Sequence, residues 1–193
     1  MKGLPCDWCN NNDVLLHYHD QEWGLPLFDD QKLFEFLILE GAQAGLSWLT
    51  ILKRREHYRE AFDQFNAEKI VRYSPAKIEK LLNNAGIIRN RLKVESTIKN
   101  ARAYLDIKEQ QNFSDYLWQF VDGEPWVNHL QRGALHPVSN LQSDQLSKDL
   151  KQRGFNFVGT VICYAFMQAT GMINDHVVDC YRYHEILGNA KNH

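Results

Sequence analysis

The chain has 193 residues, which suits one folded domain with a substantial hydrophobic core. Hydrophobic residues make up 44% of it and charged residues 24%, with 11 glycines and 5 prolines, so fibrous, low-complexity and disordered classes are excluded. No stretch is long and apolar enough to cross a membrane, and the first residues lack the apolar segment of a signal peptide. We therefore expect a cytoplasmic protein. A formal net charge of −2 argues against binding nucleic acid by bulk charge alone.

Hydrophobic spacing predicts helices through most of the chain, and no alternating run is long enough for a strand in a sheet. An all-α fold is the expectation. Asp30, Ser47 and Ser74 are typical N-caps. The helix after Asp30 is too apolar for a surface helix, so it is predicted to be central and buried, with a break or bend between Gly41 and Gly45. The predicted helices cover residues 31–40, 48–62, 75–84, 89–105, 114–120, 143–153 and 157–170, and residues 122–140 form a long irregular connection.

Cysteine and histidine residues cluster at both ends of the chain. His176 and Cys180 are four residues apart, so a helix there would place both on one face as half of a metal site. A structural zinc needs four such ligands, so the amino-terminal segment must supply two more. Spacing alone favours a Cys-x-x-Cys pair, and a chain without metal is the alternative. The competing pairs are Cys6 with Cys9, Cys6 with His19, and Cys9 with His17.

Aromatic residues are concentrated in the first quarter of the chain, beside the carboxylate of Glu40 in the most apolar predicted helix. Most of these rings are expected in the core. A carboxylate in such a helix is costly unless it is paired or used, so Glu40 either pairs with an arginine or recognises a ligand. Aromatic walls with one carboxylate would suit a flat cationic ring. The aromatic residues are Trp8, Tyr18, Trp23, Phe34, Phe36 and Trp48.

Residues 81–91 read as two helical segments joined by a tight turn that contains Gly86. Such a hairpin can offer unpaired backbone N–H groups at a helix start, where a DNA phosphate would bind. A simple connection between two helices is the more common use of such a turn.

Five short strings, taken together and in order, resemble the DNA-3-methyladenine glycosylase I family of bacteria. The resemblance extends from about Cys6 to Cys180 and implies a helix-hairpin-helix DNA glycosylase fold over a single domain, residues 1–193. It also implies a structural zinc and excision of 3-methyladenine from double-stranded DNA. We further expect a monomer that releases the free base. Other glycosylases of the superfamily place a catalytic aspartate beyond the hairpin, but residues 155–167 contain no acid here, so the strand should be left uncut. The strings are YHDQEWG (18–24), LEGAQAGLSW (39–48), AGIIR (85–89), RGFNFVG (153–159) and NDHVVDC (174–180).

The resemblance also implies roles for individual residues. Zinc ligands would be Cys6, His19, His176 and Cys180, a closed set that joins the segment 6–19 to the segment 176–180. The base pocket would comprise Tyr18, Trp48, Trp8, Trp23 and Glu40, with Glu40 as the catalytic carboxylate. DNA contacts would come from Gly45, Leu46, Gly86, Ile88 and Arg89, with Leu46 either a wedge between base steps or a core residue.

Two other functions remain open from the sequence. A zinc-stapled DNA-binding module without catalysis would share the metal site and the hairpin but have no use for a buried Glu40. An enzyme that acts on a small cationic or aromatic ligand would keep the pocket without the hairpin.

Overall fold

Short polar side chains determine where many of the helices begin in the computed structural model, which describes residues 3–190. Asn12 Oδ1 accepts from the Val14 amide at 3.0 Å, and Asn140 and Ser143 form a reciprocal capping box. The helices are α1 Asp13–Gln21, α2 Asp30–Gln43, α3 Trp48–Leu52, α4 Arg55–Ala61, α5 Ala67–Ile70, α6 Pro75–Leu82, α7 Arg91–Lys108, α8 Phe113–Trp118, α9 Leu141–Gln152, α10 Thr160–Ala169 and α11 Tyr181–Ala190.

The central helix α2 is buried as predicted, and every residue from Leu33 to Ala42 is buried. It contacts α3, α7, α8 and α10, so the core surrounds it. Its cap is Asp29 rather than the predicted Asp30, because the Asp29 carboxylate accepts from the Lys32 amide at 2.8 Å. Asp30 instead accepts from the Ser114 amide at the start of α8.

Several helix boundaries differ from the prediction. The helix expected over 48–62 is two helices, α3 and α4, because the Arg54 amide donates to the Ile51 carbonyl in a tighter turn. Helix α2 continues through Gly41 to Gln43, so the bend lies at Ala44–Gly45 alone. The helices α1, α5 and α11 were not predicted.

Two short strands lie where none was expected. Strand β1, Trp126–Val127, pairs in parallel with β2, Ile173–Asn174. They hold part of the predicted irregular connection against a fully buried segment before His176. Strands of two residues are too short to produce an alternating pattern in a sequence. In the part of the chain that the structure describes, no helix has the length and apolarity needed to cross a membrane.

Candidate active site and metal centre

A cavity of about 460 Å³ opens where the first three helices meet the end of α10. All five residues expected in the base pocket line it, although they come from α1, α2, α3 and the segments that flank α1. Its volume suits a ligand of the size of a nucleobase. The lining residues are Trp8, Leu15, Tyr18, Trp23, Glu40, Gln43, Ser47, Trp48, Leu49, His136, Ala165 and Gln168.

Aromatic rings form much of the wall of this cavity. The centroids of Tyr18 and Trp48 are 5.5 Å apart with their planes at 55°, and those of Trp8 and Trp23 are 5.0 Å apart at 75°. Such faces attract a flat cation, because the ring quadrupole is negative above and below the plane. Burial raises the pKa of the Tyr18 hydroxyl well above its usual value, so it remains protonated and can donate.

Glu40 is a buried carboxylate without a compensating charge. Its side chain is 4% exposed, and its Oε2 atom has no hydrogen-bond partner among the described residues. The nearby arginines are engaged elsewhere: Arg55 pairs with Glu22 at 2.5 Å, and Arg59 with Glu35 at 2.7 Å. Burial raises the pKa of Glu40 to about 8. The arginine-paired interpretation of Glu40 is therefore wrong.

A second polar atom in the cavity wall also lacks a partner. Trp48 Nε1 is buried and has no partner at hydrogen-bond geometry within the described part of the chain, although Trp48 is close enough to the Tyr18 hydroxyl to lower its pKa slightly against the effect of burial. A buried N–H donor and a buried carboxyl group that both lack partners cost free energy, and a ligand with polar edges would recover it. The wall of the cavity therefore fits a ring with polar edges better than an aliphatic ligand.

The turn between α2 and α3 lies beside this cavity, because Gln43 and Ser47 on either side of it are lining residues. Gly45 has a φ of +80°, a conformation that favours glycine, and it places Leu46 on the surface. Leu46 is 41% exposed. The interpretation of Leu46 as a core residue is therefore wrong, and its exposure is what a wedge would need.

The predicted hairpin lies between α6 and α7. A Cβ on Gly86 would approach the Cβ of His57 to 2.8 Å, so close packing requires glycine there. Two amides of the turn are already used: that of Gly86 donates to Asn84 Oδ1 at 2.8 Å, and that of Ile88 to the Tyr58 hydroxyl at 3.1 Å. Arg89 is exposed, and its amide has no acceptor within residues 3–190.

A compact cluster joins the two ends of the chain, although its members are up to 174 positions apart in sequence. The ligand atoms of Cys6, His19, His176 and Cys180 all lie within 4.8 Å of one another, and all four residues are buried. Cys180 Sγ is 3.4 Å from His19 Nε2 and 3.6 Å from His176 Nδ1. A tetrahedral zinc separates its ligand atoms by roughly 3.3–3.8 Å, so these residues fit that ion.

The outer ring nitrogens of both histidines are also satisfied, as in metal sites. His19 Nδ1 is 2.7 Å from Asp20 Oδ1, which also accepts from the Tyr181 hydroxyl at 2.5 Å. His176 Nε2 donates to the Trp23 carbonyl at 3.1 Å. These contacts leave His19 Nε2 and His176 Nδ1 as the inward ligand atoms. Burial lowers the pKa of His176, which keeps its ring neutral and able to bind a metal.

The Cys-x-x-Cys pair favoured by spacing does not form the cluster. The Cys9 thiol is buried and donates to the Cys6 carbonyl at 3.0 Å, while His17 is exposed. His176 and Cys180 do form half of the cluster, as expected. The helix expected there is wrong, because the segment from His176 to Cys180 is a turn in which the Cys180 amide donates to the Val177 carbonyl at 2.8 Å.

The cluster of Cys6, His19, His176 and Cys180 supports one wall of the cavity. His19 and Tyr18 are neighbours on α1, and the ring centroid of Trp23 is 4.5 Å from that of His176. Residues that hold the chain ends together therefore also fix two of the cavity's aromatic rings.

Four polar lining residues were not predicted as pocket residues: Gln43 and Ser47, which flank the turn between α2 and α3, and His136 and Gln168, which come from later segments of the chain. His136 belongs to the 122–140 connection, where the family strings imply nothing, and Gln168 lies near the end of the apolar helix α10. No spacing or motif marks either residue, because only the fold brings these segments to the cavity.

An aromatic cavity with an unpaired carboxylate, beside an exposed leucine turn in a helical fold, is typical of enzymes that take a single base out of DNA. The methyladenine glycosylase family model matches residues 8–183. The chain therefore belongs to the methyladenine glycosylase family, as its sequence motifs indicated.

Characterised relatives are similar over nearly their whole length. DNA-3-methyladenine glycosylase 1 of Escherichia coli (strain K12) is 49% identical over 179 residues, which are 92% of this chain and 96% of the relative. A crystal structure of 3-methyladenine DNA glycosylase I is 48% identical with a TM-score of 0.89, covering 92% and 98% of the two chains. The Staphylococcus aureus 3-methyladenine DNA glycosylase I, solved to explain 3-methyladenine recognition, is 40% identical with a TM-score of 0.87, covering 91% and 94%.

Proposed function

We propose that this chain excises 3-methyladenine from double-stranded DNA by hydrolysis of the glycosidic bond, acting as a monomer in the cytoplasm and as a single domain. The observation that carries the proposal is Glu40, a buried carboxylate without a partner in an aromatic cavity. Relatives named for this activity support it. A DNA-binding module without catalysis would have no use for such a group.

The reaction needs little acid catalysis from the protein. Methylation at N3 gives adenine a positive charge, so the base leaves as a neutral molecule without prior protonation. The protein must extrude the nucleotide, hold the cation and admit water to the sugar carbon. Tyr18 and Trp48 would stack on the ring, and such a contact stabilises a cation by about 0.5–2 kcal/mol. Trp8 and Trp23 complete the wall.

Glu40 would provide the charge complement. In the unliganded protein its raised pKa of about 8 leaves much of it protonated at neutral pH. A cationic ring placed beside it favours the ionised form, so the proton leaves as the base enters. A neutral adenine offers no such gain. The same carboxylate can thus hold the alkylated base and discriminate against the normal one.

The metal cluster would hold a zinc ion through Cys6, His19, His176 and Cys180. When bound, zinc supplies a closed tetrahedral cross-link without an open position for water. The four side chains then tie the amino-terminal segment to the turn before α11. Their contribution to the reaction is indirect, through the positions of Tyr18 and Trp23.

The DNA contacts would come from the two exposed turns. Leu46 would fill the space left by the extruded nucleotide, with Gly45 allowing the backbone to approach closely. At the hairpin, the free amide and the guanidinium of Arg89 would bind a phosphate, while Gly86 and Ile88 maintain the turn.

The test uses duplex DNA treated with a methylating agent. We expect release of 3-methyladenine, abasic sites in the product, and uncut strands. Of the described residues that line the cavity, none is a lysine that could form a Schiff base with the sugar. A covalent protein–DNA adduct trapped by borohydride would show a lyase instead. Binding without release would show the non-catalytic module, and binding of free base without action on DNA would show a small-molecule enzyme.

A further inference from the structure

A buried carboxylate that the proposed chemistry does not use lies behind the cavity. Asp175 is fully buried and forms no ion pair within the described residues. It accepts three hydrogen bonds from neutral groups: Asn128 Nδ2 at 2.7 Å, the Tyr164 hydroxyl at 2.8 Å, and Gln168 Nε2 at 2.7 Å. Of these three donors, Gln168 is the one that lines the cavity.

The contact with Asp175 determines which way the Gln168 amide points. A carboxylate accepts hydrogen bonds, so the NH₂ group of the amide must face Asp175. The carbonyl oxygen Oε1 lies on the other branch of the same planar group. No donor reaches Oε1 within residues 3–190, and Gln168 is, like Glu40, one of the residues that line the cavity. The amide cannot turn over without placing two acceptors in contact.

We propose that Gln168 Oε1 is the second acceptor of the base pocket, that it receives an N–H of the 6-amino group of 3-methyladenine, and that Asp175 is the positioning residue. The inference rests on the proposed function, because it requires the cavity to bind the base. In DNA alkylated at N3, the 6-amino group carries the only N–H donors of the adenine ring. Its two hydrogens match two acceptors, Glu40 and Gln168.

This arrangement divides the work of recognition between two groups. Glu40 responds to the positive charge of the ring, which distinguishes an alkylated base from a normal one. Gln168 is neutral, so its contribution to binding depends on the group at position 6 and not on the charge of the ring. A ring with a keto oxygen there, such as 3-methylguanine, would bring an acceptor against Oε1 and leave both without a hydrogen. Gln168 therefore selects adenine over guanine among bases methylated at N3.

The experiment compares Gln168→Met with the wild type in calorimetric titrations of two free bases, 3-methyladenine and 3-methylpurine, which lacks the 6-amino group. Methionine retains the length of the side chain and removes the acceptor. We expect the Kd for 3-methyladenine to rise about tenfold, the effect of one lost hydrogen bond, and the Kd for 3-methylpurine to stay unchanged. Equal weakening of both ligands, or of neither, would overturn the proposal.

Asp175→Asn tests the positioning role. We expect the ratio of the two dissociation constants to fall toward one, because an amide in place of the carboxylate no longer holds the Gln168 amide in a single orientation. Bound zinc is also measured in this variant, because Asp175 precedes His176. An unchanged ratio of the two dissociation constants with zinc retained would contradict the positioning role of Asp175. If the wild type binds neither base, the proposed base pocket is wrong. If the wild type binds 3-methyladenine and Gln168→Met binds it equally well, the pocket stands and only the role of Gln168 is wrong.

Discussion

Glu40 shows how one residue can serve recognition at the cost of stability. A carboxyl group that is 4% exposed and has no cationic partner is unfavourable when ionised, and its pKa of about 8 expresses that cost. Its neighbours in the sequence, such as Leu39 and Gly41, are buried with it on α2. A ligand that carries the missing positive charge is the partner for which this position is suited.

Glu40→Gln tests this role at the level of binding. The change is isosteric and replaces an acceptor carboxylate with a weaker amide acceptor, so we expect the fold to be kept while the affinity for 3-methyladenine, whose 6-amino group would donate to Glu40, falls. Loss of a hydrogen bond to a charged group costs about 1.5–3 kcal/mol, roughly a 10- to 150-fold rise in Kd. Excision should also slow. A large fall in Tm with unchanged affinity would show that Glu40 is structural.

The pH dependence of stability gives an independent test of the same residue. Its pKa is about 8 in the folded chain and 4.5 as the ordinary value, so the folded state holds an extra proton between these limits. The free energy of unfolding therefore falls as pH rises from about 4.5 to about 8, by on the order of 1 kcal/mol per pH unit. Glu40→Gln lacks this ionisation. Thermal unfolding at several pH values should show the wild type losing stability relative to the variant as pH increases.

At the scale of elements, the end of α2 is connected to the hairpin helix. Lys93 on α7 donates to the carbonyls of Ala42 and Ala44, both at 2.8 Å. These carbonyls lie at the last turn of α2, where the helix leaves acceptors without intrahelical partners. The side chain of Lys93 therefore links the helix that carries Glu40 with the helix that follows the hairpin.

Lys93→Met tests how much this link between α2 and α7 contributes to stability. We expect a loss of about 1–3 kcal/mol in the free energy of unfolding, because two acceptors lose a charged donor. Lys99→Met on the exposed face of α7 is the matched control and should change stability by less than about 0.5 kcal/mol. Urea denaturation of both variants measures the difference. If Lys93→Met and Lys99→Met were equally stable, water would have replaced the lysine as the donor to the two carbonyls.

The turn between α2 and α3 carries the exposed Leu46. Leu46→Ala should slow excision from duplex DNA by roughly tenfold or more, because an unfilled gap in the stack costs a few kcal/mol. Affinity for the free base should remain unchanged, since the wedge acts on DNA. Leu141→Ala is a suitable control, because Leu141 is also exposed, at 66%. Equal effects on free base and duplex would place Leu46 in the pocket rather than at the gap.

At the scale of the whole molecule, the Cys/His cluster brings the two ends of the described chain together. Cys6 and Cys180 lie at opposite ends of the sequence, and an isolated bridge between Leu4 and Cys180 adds a backbone contact. Arg132, from the long connection, pairs with Asp7 and with Asp179 at the same place. Three distant segments thus converge behind the aromatic wall of the cavity.

Cys180→Ala should lose zinc and several kcal/mol of stability. For a chain of this length, each kcal/mol corresponds to roughly 2–4 °C, so Tm should fall by about 10 °C. Cys9→Ala is a matched control, because that thiol is equally buried but outside the cluster. Metal analysis and calorimetry are the measurements. Zinc retained in Cys180→Ala, or lost in Cys9→Ala, would contradict the ligand assignment.

The sequence by itself determined the helical class, the burial of the helix that carries Glu40, and the family, because caps, apolar spacing and short strings are local properties. It could not choose Cys6 with His19 over Cys6 with Cys9 by spacing, nor separate an arginine-paired Glu40 from a ligand-binding one. Those choices depend on contacts between residues far apart in the chain, such as Cys6 and His176, 170 positions apart. The tertiary structure decided them, and it alone brought Gln168 to the cavity, because helix packing rather than local propensity selects which side chains meet.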